Sequence, residues 1–252
     1  MHLRLFDVRF DDPVYQEFLV GQEKAYAQRG HAPMARFGRD DPDTTADPIR
    51  CVAVFDDGVL VGGLRVHLRV AGRLPSEIHL KSAEVSRLVA DACAAGESVA
   101  EVCGLWVDHE WPGRRPQLAQ LVTVTGVVAA ERHGATVITG SCAGERRAAL
   151  ERCGFRWQPE LVLPGVPFPG VTSYFTIDGL AHFYDRNPGL TAAMTSLSDG
   201  LSGSDLLPAA TLRTAAEHLG LRLFAPTPRT RKGLHEGGTH EPGIADRFSQ
   251  LR

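Results

Sequence analysis

The sequence predicts an α/β fold, a mixed sheet flanked by helices, and two stretches carry that prediction. Residues 99–155 read as strand, breaker-rich turn, long helix, strand and short helix, and a crossover helix between two strands sets them side by side and parallel. Residues 51–69 read as two β-rich runs joined by Asp57-Gly58, which favours a tight antiparallel hairpin because both central residues of such a turn need positive φ. A parallel pair and an antiparallel hairpin in one chain make the sheet mixed.

In chain order, residues 2–9 alternate as a first strand. Asp12-Pro13 then opens a helix with Val14, Phe18, Leu19 and Tyr26 on an apolar face, ending at Gly30. Residues 31–48, rich in proline and aspartate and without periodicity, are a loop, and a loop of that length inside a domain is more often functional or mobile than idle. Cys51 to Asp56 and Val59 to Arg69 are the hairpin strands, with Gly62-Gly63 marking a bulge or the close approach of another backbone or ligand. A polar connection from Leu74 leads into a helix carrying Val85, Leu88, Val89 and Ala92 and closing near Gly96. Val99 to Asp108 has the β-branched and aromatic content of a buried strand and runs into the breaker cluster Trp111-Pro-Gly-Arg-Arg-Pro116. Pro116 suits a first helical turn, and Leu118, Leu121, Val122, Thr125 and Val128 recur at helical spacing until Gly134. Residues 136–140 form the next strand, and 145–153 a helix stopped by Gly154. After the proline-rich 159–169 come a strand at 173–177, a helical patch at 180–184 and a weak helix at 209–218. The organisation expected is a core of residues 1–180, a helical extension of 181–225 packed on it, and a flexible tail of 226–252, where no apolar face survives.

The chain has 252 residues, 43% of them hydrophobic, enough for a sizeable core. A formal charge of -3 gives no general attraction to nucleic acid. Five cysteines without a C-x-x-C pair read as free thiols in a reducing compartment. The early charge at Arg4 argues against a signal peptide, so a cytoplasmic protein with no membrane or nucleic-acid partner is expected. His235 and His240 are five apart beside two glycines, which does not make a zinc helix, and no metal is expected. Cys142 reads as a small buried thiol, since no local motif pairs it with a histidine.

The turn after Asp108 is the first candidate site. A helix N-terminus carries a partial positive charge, and Arg114 and Arg115 add fixed charge that pairs well with phosphate oxygens; a solvated βα turn is the other reading. Here the residues resemble a family. Leu105-Trp-Val-Asp-His-Glu-Trp-Pro-Gly-Arg114, Ala130-Glu-Arg-His-Gly134 and Leu150-Glu-Arg-Cys-Gly-Phe155 are similar, in order, to the core of the GNAT superfamily of N-acyltransferases, which would make the fold GNAT-like with a C-terminal extension. Asp40-Asp-Pro-Asp43, Gly62-Gly-Leu-Arg65 and Ala100-Glu-Val-Cys-Gly-Leu105 resemble the autoinducer synthases and related N-acyl amino acid synthases. Those enzymes move an acyl group from an acyl carrier protein to an amino acid or its derivative. Their strand usually reads Glu-x-x-Arg, where this chain has Gly104.

The resemblance implies an N-acyltransferase using acyl carrier protein phosphopantetheine or acyl-coenzyme A as co-substrate, with no tightly bound cofactor, and a small amino-group acceptor. It implies Glu101 as the base. A carboxylate in a β-rich strand is desolvated and its pKa rises, although alternation allows Glu101 to face inward or outward. Backbone N–H groups of Leu105, Trp106 and Val107 would meet the oxyanion, and Gly113, Arg114, Arg115 and Gln117 the phosphate. Asp40 or Asp43 would bind the acceptor, with Arg65 bracing the loop, and the extension would shape the acyl pocket. The family's acid tyrosine has no equivalent near Ala149, which leaves Tyr174 or Ser141 to protonate the leaving thiolate, or no acid at all. Arg146, Arg147 and Arg152 either dock an acidic carrier or solvate a helix. A conventional acetyl-coenzyme A acetyltransferase and a degenerate domain that binds acyl chains or a partner without turnover are the alternatives.

Overall fold

The computed structural model describes residues 1–28, 30, 47–166, 170–202 and 204–224. The first strand, β1 (His2–Asp7), feeds α1 (Pro13–Ala27), whose start is fixed by Asp12: its carboxylate accepts from Val14 N at 2.7 Å, with proline in the first turn. β2 (Ile49–Asp56) turns at Asp57 and Gly58, at φ 49° and 81°, into β3 (Val59–Leu68), the hairpin that the Asp-Gly pair predicts. After the short α2 (Pro75–His79) and the Ser82-capped α3 (Ala83–Ala94) come β4 (Val99–Val107), the long α4 (Arg115–Arg132), β5 (Val137–Ala143), a 3-10 turn and α5 (Arg147–Glu151). The remainder is β6 (Val162–Pro164), β7 (Thr172–Gly179), α6 (Leu180–Asp185), α7 (Pro188–Leu201), β8 (Leu206–Leu207) and α8 (Ala209–His218).

The strands form one sheet in the order β6-β7-β5-β4-β3-β2-β1-β8. β4 and β5 run parallel and the other described pairs antiparallel, the mixture that the sequence predicts. One face is covered by α4, on which α7 and α8 pack, and the other by α1 and by α2 with α3. This layering explains α4. Lying between the sheet and α7, it is buried almost all round from Leu118 to Ala130, and its threonines satisfy their hydroxyls on carbonyls one turn back, Thr123 on Ala119 and Thr125 on Leu121.

The sequence reading did not name α7, although Asn187 caps it by accepting from Leu190 N and Leu190, Ala193, Met194, Leu197 and Leu201 are its buried stripe. Nor did it foresee α2, β6 or β8. The expected flexible tail, residues 226–252, lies outside the described residues, as do Asp40 and Asp43.

The fold matters for function at one place. β4 pairs with β5 only through Val99, Ala100 and Glu101, the last opposite Thr139. Beyond that point β5 continues against β7, while β4 continues against β3, so the parallel strands part. On the β3 side, Gly63 opposes Trp106 and Arg65 opposes Cys103, so β4 uses one more residue than its partner. Gly104, at φ +67°, takes up that bulge, a conformation that costs other residues about 1–2 kcal/mol.

Candidate active site

Where β4 and β5 part, the sheet opens into a cleft of about 170 Å³. Its walls are Val102, Cys103, Gly104 and Leu105 of β4 and Gly140, Ser141, Cys142 and Ala143 of β5, and Leu64, Leu150, Phe155 and Trp157 make it largely apolar. Pro116, Ala119, Gln120 and Thr123 of α4 line another side, and the 3-10 turn and α5 add Glu145, Arg146 and Ala149 at the mouth. An apolar slot with a charged entrance suits a chain carrying an anionic end. Among the described residues the lining runs from Tyr26 to Trp157, and the described part of the C-terminal extension packs on α4.

The bulge is clamped from α1. Gln22 Nε2 donates to the Gly104 carbonyl at 2.6 Å and the Tyr26 hydroxyl to the Leu105 carbonyl at 3.2 Å. In a trans peptide the C=O of one residue and the N–H of the next point in opposite directions. The clamp therefore turns the Leu105 N–H away from α1, whereas the Trp106 N–H faces β3, where Trp106 opposes Gly63 one step from the Asp108 N–H to Val61 carbonyl bond. The Trp106 ring packs against Gly21 and Phe18 of α1, and Val107 is buried, so only their backbone has a role to offer.

Glu101 lies at the root of the cleft and does not line it. It is completely buried, which resolves the inward-or-outward question, on the face shared with His67 and Arg65 of β3. Its Oε2 accepts from Ser76 N at 2.9 Å and from Ser76 Oγ at 2.8 Å, while Oε1 has no hydrogen-bond partner among the described residues. Burial pushes its carboxyl up to about 7, against the pull of the two Ser76 bonds. Arg65 is 2% exposed and lies under the bulge; the loop carboxylates expected to pair with it fall outside the described residues. Ser141, which lines the cleft on β5, is 3.2 Å from Nε2 of the partly buried His79 on α2.

Three predicted placements need correction. The start of α4 offers no open backbone cradle: Arg115 N donates to Gly113 O, Gln117 N and Leu118 N to Arg114 O, and Pro116 has no N–H. Gly113 is required by Trp111, whose ring would lie 2.1 Å from an added Cβ and whose Nε1 bonds Asp56, while Arg115 Nη1 is held by the His109 carbonyl at 2.6 Å. Phosphate recognition at this corner would fall to guanidinium charge. Gln117 is absent from the lining, and Gln120, one helical step on, is the residue that faces the cleft; with its amide turned to accept, it takes both Arg152 Nε and Nη2 at 3.1 Å. Tyr174 is also absent from the lining, lying beneath the Arg147 guanidinium at 5.0 Å and edge-on to Trp157.

Sequence reasoning missed Ser76, His79, Gln22 and Tyr26 as site residues, because they lie far along the chain from β4 and β5 and give no local motif. It also missed Asp47, whose carboxylate gathers the N–H groups of Val70, Ala71 and Gly72 and so fixes the exit from β3. Cys103, Cys142 and Cys153 line the cleft, and burial pushes each up to about 12, leaving them protonated and poor competitors for an acyl group. Among the described residues no group of three or more His, Cys, Asp or Glu side chains is arranged to hold a metal, and no helix is long and apolar enough to cross a membrane.

The model of the family described as N-acyl amino acid synthase FeeM matches residues 22–171, more than half of the chain. Among solved structures, FeeM, an N-acyl amino acid synthase from uncultured soil microbes, is similar at a TM-score of 0.51 and 12% identity, over 72% of this chain and 98% of that one. The AHL synthase LasI gives 0.49 at 10% identity over 71% and 90%, and the CoA-dependent acyl-homoserine lactone synthase BjaI gives 0.46 at 12% over 87% and 90%. No curated protein matches.

Proposed function

The chain belongs to the N-acyl amino acid synthase FeeM family, and from that premise we propose that this N-acyltransferase carries an acyl group from a phosphopantetheine thioester to the amino group of an amino acid or related small amine. The observation that carries the reading is the parting of β4 and β5: an apolar slot for an acyl chain, with a buried carboxylate at its root. An acyl carrier protein is the preferred donor over acyl-coenzyme A. The N–H groups at the start of α4 are spent on Gly113 and Arg114 carbonyls, whereas Arg146 stands in the cleft wall, with Arg114 at the cap of α4 and Arg147 and Arg152 at the two ends of α5 adding positive charge suited to an acidic protein.

In the proposed reaction the acceptor enters as an ammonium, bound by Asp40 or Asp43, with Arg65 bracing the site by pairing with loop carboxylates. Glu101 takes a proton, directly or through one water, and a carboxyl near 7 is suited to a base working at neutral pH. The amine attacks the thioester carbon, and the charge that develops on oxygen is met by the Leu105 N–H, which lies opposite the carbonyl that Gln22 holds. Collapse expels the pantetheine thiolate toward Ser141.

The test is to incubate the purified chain with acyl-carrier thioesters and pooled amino acids, following free thiol and product mass. Amino-acid-dependent thiol release from a long-chain carrier is expected. Turnover confined to acetyl-coenzyme A and a small amine would replace the proposal with a conventional acetyltransferase, and binding without turnover would make the chain a degenerate domain.

A further inference from the structure

Proton accounting at this site requires a second group. An ammonium that becomes an amide sheds two protons, and Glu101 has a place for one. The departing sulfur needs one. Ser141 stands in the cleft wall, with its hydroxyl 3.2 Å from His79 Nε2 on α2. His79 is partly buried, and desolvation pushes its ring down to about 4, with the Pro75 carbonyl working against that and the Arg65 charge adding to it. At pH 7 the neutral ring then outweighs imidazolium by roughly 10³ to 1. That ratio rules against a nucleophilic serine, because His79 would have to accept a full positive charge when Ser141 attacked. It leaves a neutral ring able to fix the direction of one hydroxyl.

Resting on the acyl-transfer reading above, we infer that Ser141 is a proton relay and His79 the residue that positions it. As the tetrahedral intermediate collapses, the C–S bond breaks and the nitrogen keeps its new bond to carbon. The second N–H proton passes to Ser141 Oγ while the hydroxyl's own proton passes to the thiolate sulfur. Serine ends as it began, the products are amide and free thiol, and the proton on Glu101 returns to water. The arrangement assigns the acid role that the family gives to a tyrosine to a residue on the neighbouring strand.

The experiment compares two donors with the same acyl group: a pantetheine thioester, whose thiolate benefits from a proton, and a 4-nitrothiophenyl thioester, whose acidic thiol leaves without one. Ser141→Ala should lower kcat by about 10²-fold on the pantetheine donor, with KM little changed, and by less than about 3-fold on the activated donor. Ser141→Thr, which keeps a hydroxyl, should recover most of the rate. His79→Gln should show the same dependence on the donor as Ser141→Ala, at smaller amplitude. Equal losses on both donors, or no loss on either, overturn the relay while leaving acyl transfer standing. A folded wild-type chain inert toward both donors removes the acyl-transfer reading and the relay together.

Discussion

Glu101→Gln separates what the buried carboxylate does for catalysis from what it costs the fold. The wild-type carboxyl is raised from 4.5 to about 7 by burial, so between those values the unfolded chain is ionised there and the folded chain is not. The folded state binds the extra proton, and stability therefore falls as pH rises through that window. At roughly 1.4 kcal/mol per pH unit, the loss reaches about 3 kcal/mol above pH 7. Glutamine keeps the shape, still accepts from Ser76 N and Oγ, and carries no charge. The variant should be more stable than the wild type at pH 8 by about 3 kcal/mol, with the difference vanishing near pH 4.5.

A second titrating group, His79, shapes the wild-type curve as well. His79 is lowered from 6.5 to about 4, so between those values the unfolded chain binds a proton that the folded chain does not. Its contribution rises with pH, is fully present above 6.5 and is lost as pH falls to 4. From pH 4.5 to 6.5 the two slopes are opposite and nearly cancel. Wild-type stability should be flat there with respect to these two groups, and Glu101→Gln should expose the rising His79 limb. Urea unfolding of both proteins at half-unit steps from pH 4.5 to 8 measures this directly. Parallel curves would show that Glu101 is not held protonated by the fold. The same substitution should lower kcat by about 10²-fold, and wild-type kcat should rise with pH to a plateau above about 7; a flat wild-type profile across that range would remove Glu101 as the base.

Two other substitutions test the rest of the site. Gly104→Ala forces a side chain into positive φ and sets its Cβ 2.7 Å from Gln22 Nε2, so it should cost about 1–3 kcal/mol in thermal unfolding and lower kcat more than it raises KM; unaltered melting and kcat would mean that the bulge is not under this constraint. Arg114→Ala, and separately Arg146→Ala, should raise KM for a carrier-bound donor about 3- to 10-fold at low salt, with the effect fading toward 0.5 M salt; a KM that responds to neither arginine would move the docking site off these residues.

The sequence disclosed those parts of the fold whose cause is local. Asp57-Gly58 fixes a turn by its own torsion angles, and the stretch from Val99 to Gly134 declares a strand and a crossover helix by composition and spacing. What stayed hidden depends on residues distant in sequence. Pro188-Gly189 and Gly200 disguise α7, whose stability comes from laying Leu190, Met194 and Leu197 on α4. The phosphate corner looked like an open helix end, and only packing shows Trp111 over Gly113 and the first N–H groups already spent.

Gly104 is the sharpest case, because it stands where the Glu-x-x-Arg pattern that this strand resembles would place an arginine. A Cβ built there would meet Arg65 Nε at 3.0 Å and Nη2 at 3.2 Å, as well as the Gln22 amide. The space beside the bulge is thus filled by a guanidinium from β3, the neighbouring strand. The glycine is what lets that guanidinium and the Gln22 clamp approach the β4 backbone together: a side chain at 104 would push both away and release the Gly104 carbonyl that Gln22 holds. The departure from the family pattern and the buried Arg65 are therefore two halves of one arrangement. Restoring an arginine at 104 should impair this enzyme unless Arg65 is shortened in the same chain. Equal activity of Gly104→Arg with and without Arg65→Ala, measured in the thiol-release assay, would break that link.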